Sequence, residues 1–146
     1  MRSVITNSAA ETERFAEELA KLLRPDDTVA YFGGLGMGKT TFTRGLAKGL
    51  GSSDEVSSPT FSLVHEYRCD PKLYHFDMYR VEGEDDLESI GYWDYLDRGI
   101  CVVEWSEKIP FALPDCCLRV TIEKLPDAPD LRQITAEIVG GKDTTC

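Results

Sequence analysis

Long apolar runs are missing from this chain of 146 residues. Nothing approaches the roughly 18 consecutive apolar residues of a membrane span, and the N-terminus opens on a polar segment rather than a secretory leader. Positive charge is scarce as well: 16 Lys and Arg stand against 26 Asp and Glu, a formal charge of −10. That balance argues against a protein whose main task is to coat phosphate backbones, so a link to nucleic acid is expected to run through a protein partner. Histidine is limited to His65 and His75, both in expected strands, too few for a His-based metal site without carboxylate help. The five cysteines, Cys69, Cys101, Cys116, Cys117 and Cys146, are odd in number and lack both Cys-x-x-Cys spacing and a regular framework. Zinc is not expected, and a reducing compartment is. For adjacent Cys116 and Cys117, alternation at the start of a strand is preferred over a redox role. With no repeat, low-complexity tract or linker, the expectation is a single cytoplasmic domain over 1–146, frayed from about 140, with the oligomeric state open and a monomer admissible.

What is present is an alternation of helix and strand signals. Ser8-Ala9-Ala10-Glu11 has capping-box spacing, and Phe15, Ala16, Leu19, Leu22 and Leu23 recur at helical intervals before the stop at Arg24-Pro25-Asp26-Asp27. Thr28–Phe32 reads as a short buried strand running into glycines, and a second helix is expected over 39–50, closed by Gly51. From Val56 the chain reads as strand: Pro59 holds an extended entry, and Phe61, Leu63, His65 and Tyr67 alternate against Ser62, Val64, Glu66 and Arg68. Leu73–Asp77 is its expected hairpin partner across the turn at Cys69-Asp70-Pro71. An acidic stretch over 82–88 precedes Ile90, Trp93 and Leu96 at helical spacing, giving one or two short helices, and Ile100–Glu104 is a compact apolar strand. Leu118, Val120 and Ile122 alternate as a strand, as do Ile134, Ala136 and Ile138 after Pro126-Asp127-Ala128-Pro129. The fold class is α/β in three layers, with a central sheet parallel around the first strand and antiparallel elsewhere.

The chemistry is concentrated in Gly33-Gly34-Leu35-Gly36-Met37-Gly38-Lys39-Thr40, which fits G-x-x-x-x-G-K-[ST] between an expected strand and an expected helix. Glycines suit such a loop because its N–H groups must turn inward around a polyphosphate, through dihedrals that a Cβ obstructs. The following helix points its positive dipole end at the same place. The fold is therefore P-loop NTPase-like. Lys39 is expected to reach the β- and γ-phosphates, Thr40 to hold Mg²⁺ and Thr41 to meet the α-phosphate. An acidic group at a neighbouring strand end completes such a site, and both Glu104 and Asp77 are so placed, each alternatively a solvated strand-end carboxylate. Trp105 either stacks near the nucleotide or caps the core. Thr60, in the extended Ser58-Pro59-Thr60 segment, is placed to sense the γ-phosphate.

Guanine-reading proteins of this class use an Asn-Lys-x-Asp segment, which is missing, as is an Asp-x-x-Gly after the first hairpin, so ATP is favoured. A small-metabolite kinase generally needs an arginine-rich lid, where this chain offers the carboxylates of 82–88; hydrolysis or switching fits better. A nucleotide-gated binding module in which hydrolysis is incidental stays open beside the ATPase reading, and the kinase is a third.

Four separated motifs then carry a resemblance: Gly-x-Leu-Gly-x-Gly-Lys-Thr-Thr-Phe-x-Arg-Gly-Leu from Gly33, Val-x-Ser-Pro-Thr-Phe-x-Leu-Val-x-Glu-Tyr from Val56, His-Phe-Asp-x-Tyr-Arg from His75, and Glu104-Trp105. Together they resemble the TsaE (YjeE-type) ATPases. The resemblance implies a bacterial protein required for threonylcarbamoyladenosine (t6A) modification of tRNA beside the anticodon, acting with TsaD and TsaB, while a TsaC-type enzyme supplies the activated group. It implies that an ATP cycle resets the TsaD–TsaB assembly and that tRNA is met only through that complex. Carried onto this chain, it places the nucleotide loop at Gly33 to Thr41, magnesium ligands at Thr40 and Glu104, the switch threonine at Thr60 and the hydrolysis-linked aspartate at Asp77. Trp105 falls beside the site and Arg132 near the base. Gly34 stands where the family usually has aspartate, and Met37 where a small residue is usual. Arg44, Lys48 and Arg80 offer either a local positive patch for docking in an otherwise acidic protein or simply solvated charges.

Overall fold

The computed structural model describes residues 2–32, 38–57, 59 and 64–139. Its seven-stranded sheet follows from the placement of apolar runs. Strand β5, Ile100–Glu104, and strand β4, Leu73–Asp77, are buried at every position, and strand β2, Thr28–Phe32, at all but the last. Such continuous burial is the pattern of parallel strands covered on both faces. Strands β4, β5, β2 and β6, Cys117–Leu125, run parallel side by side, and β2 pairs with both β5 and β6. Antiparallel strands complete both edges: β3, Val64–Tyr67, against β4, and β7, Ala128–Val139, against β6, with β1, Arg2–Thr6, outermost. The order is β1-β7-β6-β2-β5-β4-β3. This is the expected three-layer α/β fold with a mixed sheet.

Helix α1, Ala9–Ala20, starts where Ser8 Oγ accepts the Glu11 N–H at 3.2 Å. It ends before Leu22 and Leu23, which the helical spacing had included. The residue before proline disfavours the helical region, and the Arg24 N–H is instead taken by Asp27 Oδ2 at 2.6 Å. Helix α2 is Lys39–Gly49. The two helices pack on one face of the sheet around Ala16, Tyr31, Phe42, Leu46 and Val102. On the opposite face, α3, Glu84–Ser89, and α4, Tyr92–Tyr95, help bury Phe76, Leu87, Tyr92, Val103 and Ile109.

Among the described residues β3 pairs from Val64, whereas the sequence reads as strand from Val56; Val56 and Ser57 lie outside any strand, and Phe61, Ser62 and Leu63 are outside the described residues. Strand β1 was not foreseen, because a five-residue edge strand with mostly exposed side chains has no apolar alternation to read. Strand β7 begins at Ala128, leaving Pro126 and Asp127 as the turn; Pro129 is tolerated near the beginning of a strand. Among the described residues Cys69, Cys101 and Cys117 are free thiols. Among the described residues no helix is long and apolar enough to cross a membrane.

Candidate nucleotide-binding site

The carboxyl ends of parallel β2, β5 and β4 lie at Phe32, Glu104 and Asp77, on the edge of the sheet where α/β proteins bind ligands. Helix α2 begins at the same edge. Its N-cap, Gly38, has φ 97°, in the left-handed region, and its carbonyl accepts the Phe42 N–H at 2.9 Å. Among the described residues a Cβ at Gly38 would meet only Ile122 Cγ2 at 3.9 Å, so there the dihedral calls for glycine. Residues Gly33, Gly34, Leu35, Gly36 and Met37 of the expected phosphate loop, and the expected switch residue Thr60, lie outside the described residues.

Lys39, the first residue of α2, is only 6% exposed, and its Nζ stands 5.2 Å from the centroid of the Trp105 ring, a cation–π distance. Thr40 and Thr41 follow it, half-buried. The next turn is tied to the sheet: the Thr43 hydroxyl donates to the Lys39 carbonyl at 2.8 Å and shares a 2.8 Å hydrogen bond with the Tyr31 hydroxyl.

Asp77 and Glu104 are directly opposite each other across the β4–β5 pair. They are 6% and 7% exposed, which removes the reading of either as a solvated strand-end carboxylate. A carboxylate buried to this degree needs partners. Asp77 Oδ1 accepts the Tyr79 N–H at 2.9 Å, and Glu104 Oε2 lies 2.8 Å from His75 Nε2. The backbone is closed by the Met78 N–H, which donates to the Glu104 carbonyl at 3.1 Å. Burial pushes the Tyr31 phenol well above its ordinary range; the Thr43 hydrogen bond opposes the shift and the charge of Glu104 adds to it. Tyr67 is raised by burial too, with the Ser57 carbonyl opposing and Glu104 adding.

Trp105 takes φ 60°, the one non-glycine residue in the left-handed region among those described. Its ring packs against Tyr79 at a 5.0 Å centroid separation as well as under Lys39, so it faces the site rather than only capping the core. The Arg132 guanidinium is turned onto the carbonyls of Pro129 at 2.6 Å and Leu131 at 3.1 Å. It stands on β7 two residues from Ile134, the cross-strand partner of Ile122, and so on the hairpin beside Gly38. Lys48, read as part of a docking patch, is engaged by Glu13 at 3.0 Å and Glu17 at 3.9 Å of α1.

Structure therefore brings Lys39, Trp105, Glu104 and Asp77 to one corner. It also adds His75 and Tyr67, which the sequence reading treated as strand residues. The available signal was the spacing of two between His75 and Asp77, which puts them on one face of β4. Among the described residues no cluster of three or more His, Cys, Asp or Glu side chains could hold a metal ion unaided. A hydroxyl from Thr40 and a carboxylate from Glu104 are nevertheless the hard oxygen donors that suit magnesium, which keeps waters and shares phosphate oxygens. A separate cavity of about 450 Å³, lined by Arg2, Leu19, Leu22, Asp27, Cys117 and Ile138 among others, opens at the amino-terminal ends of β2 and β6, away from this corner.

Residues 6–134 match the family model "Threonylcarbamoyl adenosine biosynthesis protein TsaE". The chain is 41% identical over 131 residues to the tRNA threonylcarbamoyladenosine biosynthesis protein TsaE of Haemophilus influenzae, covering 88% of this chain and 83% of that one. It is 40% identical over 139 residues to the Bacillus subtilis protein of the same name, covering 94% and 85%. The crystal structure of Bacillus subtilis YdiB superposes with a TM-score of 0.78 at 34% identity, covering 96% of this chain and 86% of that one.

Proposed function

Since the chain belongs to the TsaE family of tRNA threonylcarbamoyladenosine biosynthesis proteins, we propose that it is a magnesium-dependent ATPase whose nucleotide cycle acts on a TsaD–TsaB complex in t6A modification. The observation that carries this reading is the meeting of one buried ammonium, Lys39, with two buried carboxylates, Glu104 and Asp77, at the carboxyl edge of a parallel sheet. A lysine at the start of a helix favours a polyphosphate, and the carboxylates handle the metal and the attacking water. Thr40 and Glu104 hold the metal, while Asp77 orients the water. The chemistry magnesium supplies when bound is neutralisation of charge on the phosphate oxygens.

In this scheme Trp105 shields the Lys39 ammonium from bulk water on one side, and Arg132 approaches the base. Thr60 senses the γ-phosphate and couples its presence to the docking surface. The tRNA is reached only through the complex.

Lys39→Ala tests the site. A charge-assisted hydrogen bond is worth about 1.5–3 kcal/mol, so ATP affinity measured by calorimetry is expected to fall by about 10- to 150-fold. Unchanged affinity contradicts the reading.

A further inference from the structure

His75 is wholly buried, and both of its ring nitrogens are engaged. Nε2 meets Glu104 Oε2 at 2.8 Å; Nδ1 meets the Tyr67 hydroxyl at 3.3 Å. That hydroxyl also donates to the Ser57 carbonyl at 3.1 Å. A side-chain chain therefore runs from the end of β5, through β4 and β3, to the backbone one residue before 58. The Tyr67 hydroxyl gives its one hydrogen to the Ser57 carbonyl, so its oxygen is left to accept on the side that faces His75.

Resting on the ATPase reading above, we infer that His75 is a positioning residue: it fixes the Glu104 carboxylate for the metal and, through Tyr67, ties it to the segment that carries Thr60. Partners that orient a metal's ligands in this way commonly change metal affinity by about 10- to 100-fold when removed.

The test compares ATP affinity in EDTA with the magnesium concentration that half-saturates the ATP complex, both by calorimetry on the full chain. His75→Asn keeps a polar group near the Nδ1 position but cannot reach Glu104. It is expected to raise the magnesium half-saturation by on the order of 10-fold while ATP affinity in EDTA stays within about twofold. His75→Gln, which extends an amide to the Nε2 position, is expected to stay within about threefold of the wild type. A shift below threefold in H75N, an equal loss with and without magnesium, or an H75Q as impaired as H75N overturns the inference. Should H75N fail to fold, Tyr67→Phe removes a single oxygen and carries the same test, with at least a threefold shift expected and anything smaller overturning it. A wild-type chain that binds no ATP defeats the ATPase reading itself, whereas a wild type that binds beside an unaffected H75N defeats only the role of His75.

Discussion

Trp105 occupies a conformation that a bulky residue adopts at a cost of about 1–2 kcal/mol. Its surroundings hold it there. The Lys108 N–H donates to the Trp105 carbonyl at 3.0 Å, and the buried Ser106 hydroxyl donates to the Val103 carbonyl at 3.0 Å, which closes the chain into the short 3₁₀ turn Ser106–Lys108. An extended residue at 105 would continue β5 outward, whereas the left-handed one turns the indole back toward Lys39. Two substitutions separate backbone from ring. Trp105→Ala and Trp105→Gly lose the same contacts with Lys39 and Tyr79, but glycine accepts φ 60° freely. The glycine variant is expected to be more stable than the alanine variant by about 1 kcal/mol in urea denaturation, with both weakened in ATP binding to a similar degree. Equal stabilities contradict strain at this residue.

Helices α1 and α2 approach so closely that Gly45 and Gly49 leave no room for a side chain. A Cβ at Gly45 would strike the Glu13 carbonyl and lie 2.6 Å from Ala16 Cβ, and one at Gly49 would lie 2.7 Å from Ala20 Cβ. The spacing of four on each helix makes this a seam of small residues. Alanine ordinarily favours a helix over glycine by about 1 kcal/mol, but forcing a methyl into a packed contact costs typically about 1–3 kcal/mol, and here a backbone carbonyl must move as well. Gly45→Ala is therefore expected to lower stability by about 1–2 kcal/mol, read as a lower urea midpoint with an unchanged slope. A midpoint at or above the wild type contradicts the close crossing. The same element-level physics decides what the sequence discloses. Strands β2, β4 and β5 were legible to the residue because a strand buried on both faces is a continuous apolar run between turn signals. Strand β1 was not, because its place depends on pairing with β7, which lies more than a hundred residues away in sequence. Lys39, Asp77 and Glu104 could be named from local context. The bond between His75 and Glu104 could not, since it depends on the register between β4 and β5 and on the faces their side chains take, which no single segment specifies.

Across the protein as a whole, the charge of −10 works against gripping an RNA backbone, and Lys48 is engaged by α1. An acidic ATPase can still serve a tRNA pathway when a nucleotide-sensitive face meets a protein complex and the complex meets the RNA. The proposed site is suited to holding ATP and to slow turnover. Phosphate-loop hydrolases without a partner's arginine run at about 10⁻⁴ to 10⁻² per second, and an arginine supplied in trans adds about 10³- to 10⁵-fold. In the proposed site Glu104 and Asp77 would provide metal binding and water orientation, but positive charge beyond Lys39 would have to come from elsewhere for fast turnover. Purified alone, the chain is therefore expected to hydrolyse ATP within that slow range and to show no tRNA retention at physiological salt. Addition of TsaD and TsaB is expected to raise the rate at least 10-fold, while addition of tRNA without them leaves it unchanged. Phosphate release measured under these three conditions checks the assignment: a rate indifferent to TsaD and TsaB contradicts partner activation, and a rate raised by tRNA alone contradicts indirect access to the RNA.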